Sequence, residues 1–141
     1  MEGFSEYGHA LAAMSGVAVL LLLLSPLSAM RKQASGVTPG AQPAADYSDS
    51  SYRWHRTYAN LTEAIGPFAA VTLAAILAGA NPFWVNLLAS LFLVIRLVVT
   101  VVHITGVGKP VNGMRSFIYI AGWASCLGLA YLAIKTVLFG G

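Results

Sequence analysis

The sequence predicts an all-α integral membrane protein built as a bundle of four transmembrane helices. The 141-residue chain is 57% hydrophobic and only 9% charged, with a mean hydropathy of +0.73, which is too apolar for a soluble domain of this size. Its long apolar runs are separated by short polar ones and suffice for four helices of about 20 residues or more, the length that crosses a bilayer. These segments use most of the chain, so we expect a single membrane domain over residues 1–141.

The first predicted helix spans about residues 7–30 and contains Pro26 near its end, where a kink or a helix stop is tolerated. A cleaved signal peptide is the alternative interpretation of this segment. However, no basic stretch precedes the apolar run, so we expect a retained membrane helix. Residues 31–49 follow as a loop, because they are rich in Pro, Gly and small polar side chains.

The second predicted helix, residues 50–79, begins with the polar segment RWHRTYANLTEAIGPF. Positions three or four residues apart share one face of a helix, and here they form a polar stripe of Arg53, Arg56, Asn60, Glu63 and Pro67. Glu63 lies roughly 15 Å inside Arg53 along the helix axis, and a carboxylate at that depth in a membrane is costly unless paired. The stripe therefore indicates a functional site, while a juxtamembrane charge cluster with one structural salt bridge remains the alternative.

The third predicted helix, residues 83–106, follows an Asn-Pro turn and forms an antiparallel hairpin with the second. Arg96 lies roughly 15 Å before Gly106 along this helix, which places it at about the depth of Glu63. We therefore expect Glu63 and Arg96 to form a buried ion pair, because either charge alone would be uncompensated in a low dielectric.

Polar residues continue along the third helix and open the fourth. His103 extends the polar face that begins at Arg96, and it is either a ligand or proton donor or a hydrogen-bonded structural histidine. The fourth predicted helix, residues 115–139, begins with Arg115 and Ser116, with Tyr119 one turn further on. These side chains bring further polar chemistry to the membrane surface at which the second helix begins.

Small side chains within the apolar segments indicate close helix packing. In the second helix they recur every four residues, a face suited to a bundle interior or a subunit interface, at Ala70, Ala74 and Ala78. Cys126 is the only cysteine and lies in an apolar run, so an intrachain disulfide is excluded. We interpret Cys126 as a small packing residue.

The basic residues are distributed asymmetrically between the two membrane surfaces. The first and third connections and the helix starts beside them hold six of them, at Arg31, Lys32, Arg53, Arg56, Lys109 and Arg115. The N-terminal tail and the second connection hold none. Basic residues mark the cytoplasmic side, so we expect both termini to be non-cytoplasmic and the polar groups of helices two to four to face the cytoplasm.

Other classes of site find little support in the sequence. The basic residues flank apolar segments instead of forming a basic tract, so the net charge of +3 does not indicate nucleic-acid binding. The glycine-containing turn at residues 106–114 lacks the spacing of a phosphate-binding loop. Cys and His residues do not show metal-ligand spacing, and we expect no metal site.

The polar stripe resembles a known family signature. Arg53-x-x-Arg56-x-x-x-Asn60-x-x-Glu63-x-x-x-Pro67-Phe68 is similar to the pattern of the MAPEG family, the membrane-associated proteins in eicosanoid and glutathione metabolism. Arg96 in the third helix and Arg115-Ser116-x-x-Tyr119 in the fourth resemble the microsomal glutathione transferase and prostaglandin E synthase type. The resemblance implies a homotrimer that holds glutathione, as a cosubstrate, between neighbouring subunits near the cytoplasmic side.

The resemblance also implies roles for individual residues. Arg115, Ser116 and Tyr119 match positions of the catalytic end of the glutathione site, and the predicted glutathione-binding set is Arg53, Arg56, Asn60, Glu63, Arg96 and His103. Two positions depart from the synthase branch. Tyr58 stands where that branch has a histidine, and His103 stands near where it has a tyrosine that contacts glutathione.

These features predict a glutathione-dependent transferase, peroxidase or isomerase that acts on a lipophilic electrophile. An arginine near a thiol favours the thiolate, the true nucleophile, over a thiol with a pKa of about 8.5. An apolar acceptor substrate would arrive through the lipid bilayer. The alternative is a non-catalytic scaffold or an accessory subunit of a larger membrane complex, in which the stripe only locks the fold. A small-solute carrier is disfavoured, because four helices leave little interior.

Overall fold

The computed structural model describes residues 2–108 and 113–140, and its regular secondary structure over these residues is helical. A short 3-10 helix, Glu2–Tyr7, leads into α1, Gly8–Ala34, which is followed by α2, Ser50–Leu77, α3, Pro82–Thr105, and α4, Met114–Phe139. Each of the four α-helices is long and apolar enough to cross a membrane. The predicted fold class, an all-α bundle of four membrane helices, is confirmed. Lys109, one of the basic residues used to predict topology, lies outside the described residues.

Helix α1 continues to Ala34, beyond the predicted end at residue 30. Its last turn contains Arg31 and Lys32, and cations are favoured there because the free carbonyl groups carry partial negative charge. The ammonium group of Lys32 also donates to the carbonyl oxygen of Ala41 at 3.1 Å. The two basic residues therefore belong to the helix, and the loop begins at Ser35.

Side-chain caps fix the starts of α2 and α3. The carboxylate of Asp49 accepts from the backbone N–H of Ser51 at 2.9 Å, and the side-chain oxygen of Asn81 accepts from that of Phe83 at 3.0 Å. Each cap satisfies an N–H that a helix start leaves without a partner. Pro82 occupies the first position of α3, where its missing N–H costs nothing.

Helices α2 and α3 form the centre of the bundle, since α1 and α4 each pack against both of them. The rings of Phe68 in α2 and Phe92 in α3 stack in the core, with centroids 4.0 Å apart and planes 10° apart. Gly122 lets α4 approach α3, because a Cβ there would lie 3.2 Å from Cγ2 of Ile95. This packing brings the polar end of α2 close to both α3 and α4.

The N-terminal segment is attached at the other end of the bundle, beside the α2–α3 connection. The hydroxyl of Tyr7 donates to the carbonyl oxygen of Ala80. Asn86 of α3 accepts from the backbone N–H of Ala10 at 2.9 Å and donates to the carbonyl oxygen of Glu6 at 2.7 Å. These bonds fix the start of α1 against the start of α3 and the connection before it.

Candidate functional site

Six of the predicted site residues line one cavity of about 360 Å³. They come from the starts of α2 and α4 and the end of α3, and they are Arg56, Asn60, His103, Arg115, Ser116 and Tyr119. Tyr47 of the loop and Ile120 of α4 complete the wall. We call this space the polar cavity. Its volume lies in the range of ligand-binding pockets, about 300–1,000 Å³.

Arg115 is buried in the wall of the polar cavity, with 5% of its surface exposed. Its Nε donates to the carbonyl oxygen of Val107 at 3.2 Å, and its guanidinium carbon lies 5.1 Å from the ring centre of Tyr47. Its Nη1 is buried and has no hydrogen-bond partner within residues 2–108 and 113–140. A buried donor without a partner is costly, so Nη1 is available to an acceptor atom that enters the cavity.

His103 is a buried, oriented imidazole in the same wall. Its Nδ1 lies 3.0 Å from the carbonyl oxygen of Val99. A carbonyl oxygen only accepts, so this hydrogen bond requires the proton on Nδ1, and Nε2 of the neutral ring is then an acceptor. The last turn of α3 thus holds the ring with an acceptor available for a ligand N–H or O–H group.

Arg96 joins three helices next to the polar cavity. Its Nη1 donates to the side-chain oxygen of Asn60 in α2 at 2.9 Å. Its guanidinium carbon lies 5.6 Å from the ring centre of Tyr119 in α4 and 4.9 Å from that of Phe92 in α3. Only 4% of Arg96 is exposed, and its Nε is a buried donor with no partner in the described part of the chain.

The predicted ion pair between Glu63 and Arg96 is wrong. Oε1 of Glu63 instead accepts from Nη1 of Arg56 at 3.3 Å, and the Glu63 side chain is 63% exposed. Asn60 and Glu63 are three residues apart, so their directions around the helix axis differ by about 60°. That rotation turns Asn60 towards Arg96 and Glu63 towards the surface, where a single ion pair contributes about 0–1 kcal/mol.

A second cavity, of about 290 Å³, lies between α2, α3 and α4. Most of its wall is apolar, with Ala64, Pro67, Val71, Phe92, Trp123, Cys126, Leu127 and Ala130. Glu63, Arg96 and Tyr119 complete it, so two predicted site residues lie here and not in the polar cavity. We call this space the apolar cleft. Tyr119 lines both spaces, which places a charged, polar cavity next to one suited to an apolar ligand.

Comparison with known proteins identifies the family to which this arrangement belongs. The sequence model of the MAPEG family matches residues 10–135. The match covers well over half of the 141-residue chain and contains every residue that lines the polar cavity and the apolar cleft. The chain belongs to the MAPEG family. No curated protein matches it.

Family membership and the four apolar helices together make this chain an integral, multi-pass membrane protein. The two cavities of this MAPEG protein lie between helices that are apolar enough to cross the bilayer. The apolar cleft is therefore formed by membrane-spanning segments, whereas the polar cavity also receives Tyr47 from the connecting loop. In the described ranges of the chain, no three His, Cys, Asp or Glu side chains come together as a metal site.

Arg53 belongs to the predicted glutathione-binding set, but it lies outside both cavities of the MAPEG protein. Its Nη1 donates to the carbonyl oxygens of Tyr47 and Ser48, each at 2.8 Å, and its Nε donates to that of Ile104 at 3.2 Å. The guanidinium group thereby fastens the loop to the end of α3. Because that loop supplies Tyr47 to the polar cavity, Arg53 shapes the cavity from outside.

Two parts of the site were not predicted from the sequence: Tyr47 and the apolar wall of the cleft. Tyr47 lies in an irregular loop, where no periodicity connects it with Arg115. The wall of the apolar cleft does have a signal in the sequence, since Tyr119, Trp123 and Leu127 recur every four residues and so share one face of α4. Following that face from Tyr119 would have identified most of the α4 side of the cleft.

Proposed function

We propose that this MAPEG protein is a glutathione-dependent enzyme of the microsomal glutathione transferase or prostaglandin E synthase type. It acts on a lipophilic electrophile as a transferase, peroxidase or isomerase. The observation that carries the proposal is the shared wall at Tyr119, where the polar cavity meets the apolar cleft. The polar cavity would receive a charged, water-soluble thiol, and the cleft would receive an apolar acceptor from the bilayer.

The composition of the polar cavity suits glutathione, which has two carboxylates, one ammonium and several amides. Arg56 and Arg115 supply cations for its carboxylates or thiolate, and Asn60 supplies an amide partner. Glu63 is paired with Arg56 and lines the adjoining apolar cleft, so the described lining of the polar cavity itself holds no carboxylate for the ammonium group. His103, whose Nδ1 lies 3.0 Å from the carbonyl oxygen of Val99, would in its neutral form offer Nε2 as an acceptor for an amide N–H.

Arg115 is the proposed thiolate-stabilising residue. A nearby positive charge lowers the pKa of a thiol below about 8.5, so more of it is present as the nucleophilic thiolate. Ser116 and Tyr119 line the same cavity and carry hydroxyl donors for the sulfur. All three lie in the first two turns of α4, where the helix N-terminus adds partial positive charge. The buried Nη1 of Arg115, which has no hydrogen-bond partner among the residues that the structure describes, supports this role.

The three candidate reactions share attack by that thiolate. In conjugation, its sulfur bonds to an electrophilic carbon and a leaving group departs with the bonding electrons. In peroxide reduction, attack on a hydroperoxide breaks the O–O bond and gives an alcohol and a sulfenic acid, which a second glutathione converts to disulfide and water. In isomerisation, the bond that the sulfur forms with the substrate breaks again after the substrate's own bonds have rearranged, and its electron pair returns to the sulfur as the thiolate. Each needs a lipophilic acceptor beside Tyr119.

We also propose a homotrimer with glutathione between neighbouring subunits and the site facing the cytoplasm. Ala70 and Ala74 of α2 are exposed, so the small-residue face of this helix is not used in the bundle interior. Such a face permits close approach of another membrane helix. The mass of the detergent-solubilised complex, measured by light scattering, tests the assembly independently of activity.

Calorimetric titration of glutathione into the detergent-purified protein tests the binding step, and turnover of an aryl halide or a lipid hydroperoxide tests catalysis. Arg115→Leu should reduce turnover by about 10²-fold, the typical effect of removing one donor that stabilises developing negative charge. It should also raise the apparent pKa of the bound thiol, while Arg56 and Asn60 preserve most of the glutathione affinity. Arg115→Lys retains the charge without the forked donors. Its turnover should lie between that of the parent protein and that of Arg115→Leu.

The non-catalytic scaffold remains a second candidate, because Arg53 and Arg96 both donate to groups of the chain itself. Such contacts lock a fold without a ligand. This hypothesis predicts no heat of glutathione binding and an effect of Arg115→Leu on stability alone. Undiminished turnover in both Arg115 variants would exclude the catalytic role of Arg115.

A further inference from the structure

A third cavity, of about 500 Å³, lies at the end of the bundle opposite the polar cavity. It is formed by the α2–α3 connection, the first turn of α3 and the last turns of α4, and its lining residues are Asn81, Trp84, Tyr131, Leu132, Lys135 and Thr136. We call it the distal cavity. None of its lining residues belongs to the proposed glutathione site or to the apolar cleft.

Lys135 gives the distal cavity an isolated positive charge. The other six Lys and Arg residues that the structure describes lie at the opposite ends of the helices or inside α3. Lys135 forms no ion pair with a carboxylate of the described residues. It stands five residues before Gly140, the C-cap of α4, or about 7 Å along the helix axis. A cation at this depth is near the membrane surface and lacks an anion.

The rest of the lining supplies hydrogen-bond donors and aromatic rings. The side-chain oxygen of Asn81 accepts a hydrogen bond from the backbone N–H of Phe83. The side-chain NH₂ group of Asn81 can therefore donate to a ligand. Thr136 and Tyr131 each carry a hydroxyl. Trp84 packs edge-on against Phe83, with ring centroids 5.2 Å apart, and Trp and Tyr rings favour the headgroup level of a bilayer.

A cation and several donors suit a ligand rich in acceptor oxygens. We propose that the distal cavity binds the headgroup of an anionic glycerophospholipid, with its phosphate beside Lys135. The charge is complementary, and the chain lies in a membrane, where such a phosphate is present at the level of the cavity. The acyl chains then run from the cavity towards the bilayer interior, along the exposed apolar side of α4 that contains Ile134 and Leu127.

Titration of the full-length, detergent-purified protein with phosphatidylglycerol tests the proposal, with the melting temperature and the apparent Kd as readouts. Phosphatidylglycerol should raise the melting temperature until the site is saturated. Lys135→Gln should weaken this binding by at least about fivefold, which corresponds to the roughly 1 kcal/mol that one Lys contributes near an anionic surface. Lys135→Arg keeps the charge and should bind as the parent protein does. Lys135 is exposed, so these variants should fold.

Arg31→Gln is the matched control, because it removes one exposed positive charge from the other end of the bundle. An equal loss of affinity in Arg31→Gln would show general attraction between charges and would overturn the site. Equal binding of phosphatidylcholine would overturn the preference for an anionic lipid. Displacement of the lipid by millimolar inorganic phosphate would identify a free-phosphate site instead. Glutathione binding is measured separately, so its absence would leave this result unaffected.

Discussion

The guanidinium group of Arg96 and the side-chain oxygen of Asn60 are 2.9 Å apart in the buried space between α3 and α2. This hydrogen bond takes the place of the ion pair predicted between Arg96 and Glu63. It leaves Glu63 at the surface with Arg56. The charge of Arg96 is therefore accommodated by an amide oxygen and aromatic rings.

Removal of either side chain should destabilise the bundle. In membrane proteins, hydrogen bonds between helices contribute about 0.6 kcal/mol on average and at most about 1.7 kcal/mol, and a charged donor places this bond towards the upper value. We expect a coupling free energy of about 1–1.7 kcal/mol in a double-mutant cycle of Asn60→Leu and Arg96→Met, from unfolding in detergent. The effects of Glu63→Gln and Arg96→Met should be additive within about 0.5 kcal/mol. A larger coupling free energy between them would show that Glu63 and Arg96 do form the ion pair.

The comparison of Asn60 with Glu63 shows what the sequence could and could not predict. Hydropathy and spacing predicted the four-helix membrane fold and the clustering of polar residues at one end. Spacing also gives depth, because each helical residue advances about 1.5 Å. The rotation of α2 about its axis is set by packing against α1, α3 and α4, so the sequence could not show which polar residue faces Arg96.

The same limit applies to residues that reach the site from outside the helices. Tyr47 meets Arg115 because Arg53 holds the loop by its backbone carbonyls. Every residue has a backbone carbonyl group, so the sequence does not indicate which carbonyl oxygens will accept hydrogen bonds from an arginine. Six of the nine predicted site residues line the polar cavity, whereas Glu63 and Arg96 line only the apolar cleft and Arg53 lies outside both.

Gly106 has a left-handed backbone, with φ of 75°, and a Cβ there would lie 3.1 Å from Nε of Arg53. We expect Gly106→Ala to destabilise the protein by more than the roughly 1–2 kcal/mol of left-handed strain, because the methyl group also displaces Arg53. Gly79→Ala is the matched control: Gly79 has φ of 71° and nothing within 4 Å of its added Cβ. Thermal unfolding in detergent measures the stability of both variants. Equal losses of stability would show that the Arg53 side chain moves aside at no cost.

The carboxylate of Asp46 accepts from the hydroxyl of Ser48 at 2.7 Å and from its backbone N–H at 2.8 Å. These bonds hold the pKa of Asp46 below its ordinary value of 3.8. A lowered pKa stabilises the fold above the unfolded value, and this contribution is lost as the pH falls through the folded pKa.

Ser48→Ala removes the hydroxyl bond, so the pKa of Asp46 should rise towards 3.8. Carboxyl ¹³C chemical shifts measured against pH follow this titration. Ser48→Thr keeps the hydroxyl and should preserve the lowered value. An unchanged titration in Ser48→Ala would mean that the backbone N–H alone sets the pKa.

The membrane orientation is tested by reporter fusions. Gly40 lies in the exposed loop after α1, on the side where the basic residues Arg31 and Arg53 are found, and basic residues mark the cytoplasmic side. A reporter at Gly40 should therefore be cytoplasmic, and reporters at either terminus should not. A cytoplasmic C-terminus would place the polar cavity on the other face of the membrane.

The position of Tyr119 between the polar cavity and the apolar cleft has a kinetic consequence under the proposed reaction. One reactant would be counted in moles per litre of water and the other in moles per mole of lipid. Adding empty vesicles at constant acceptor would then slow turnover by surface dilution, although neither total concentration changes. The apparent KM for the acceptor would be a property of the lipid-to-protein ratio as much as of the enzyme.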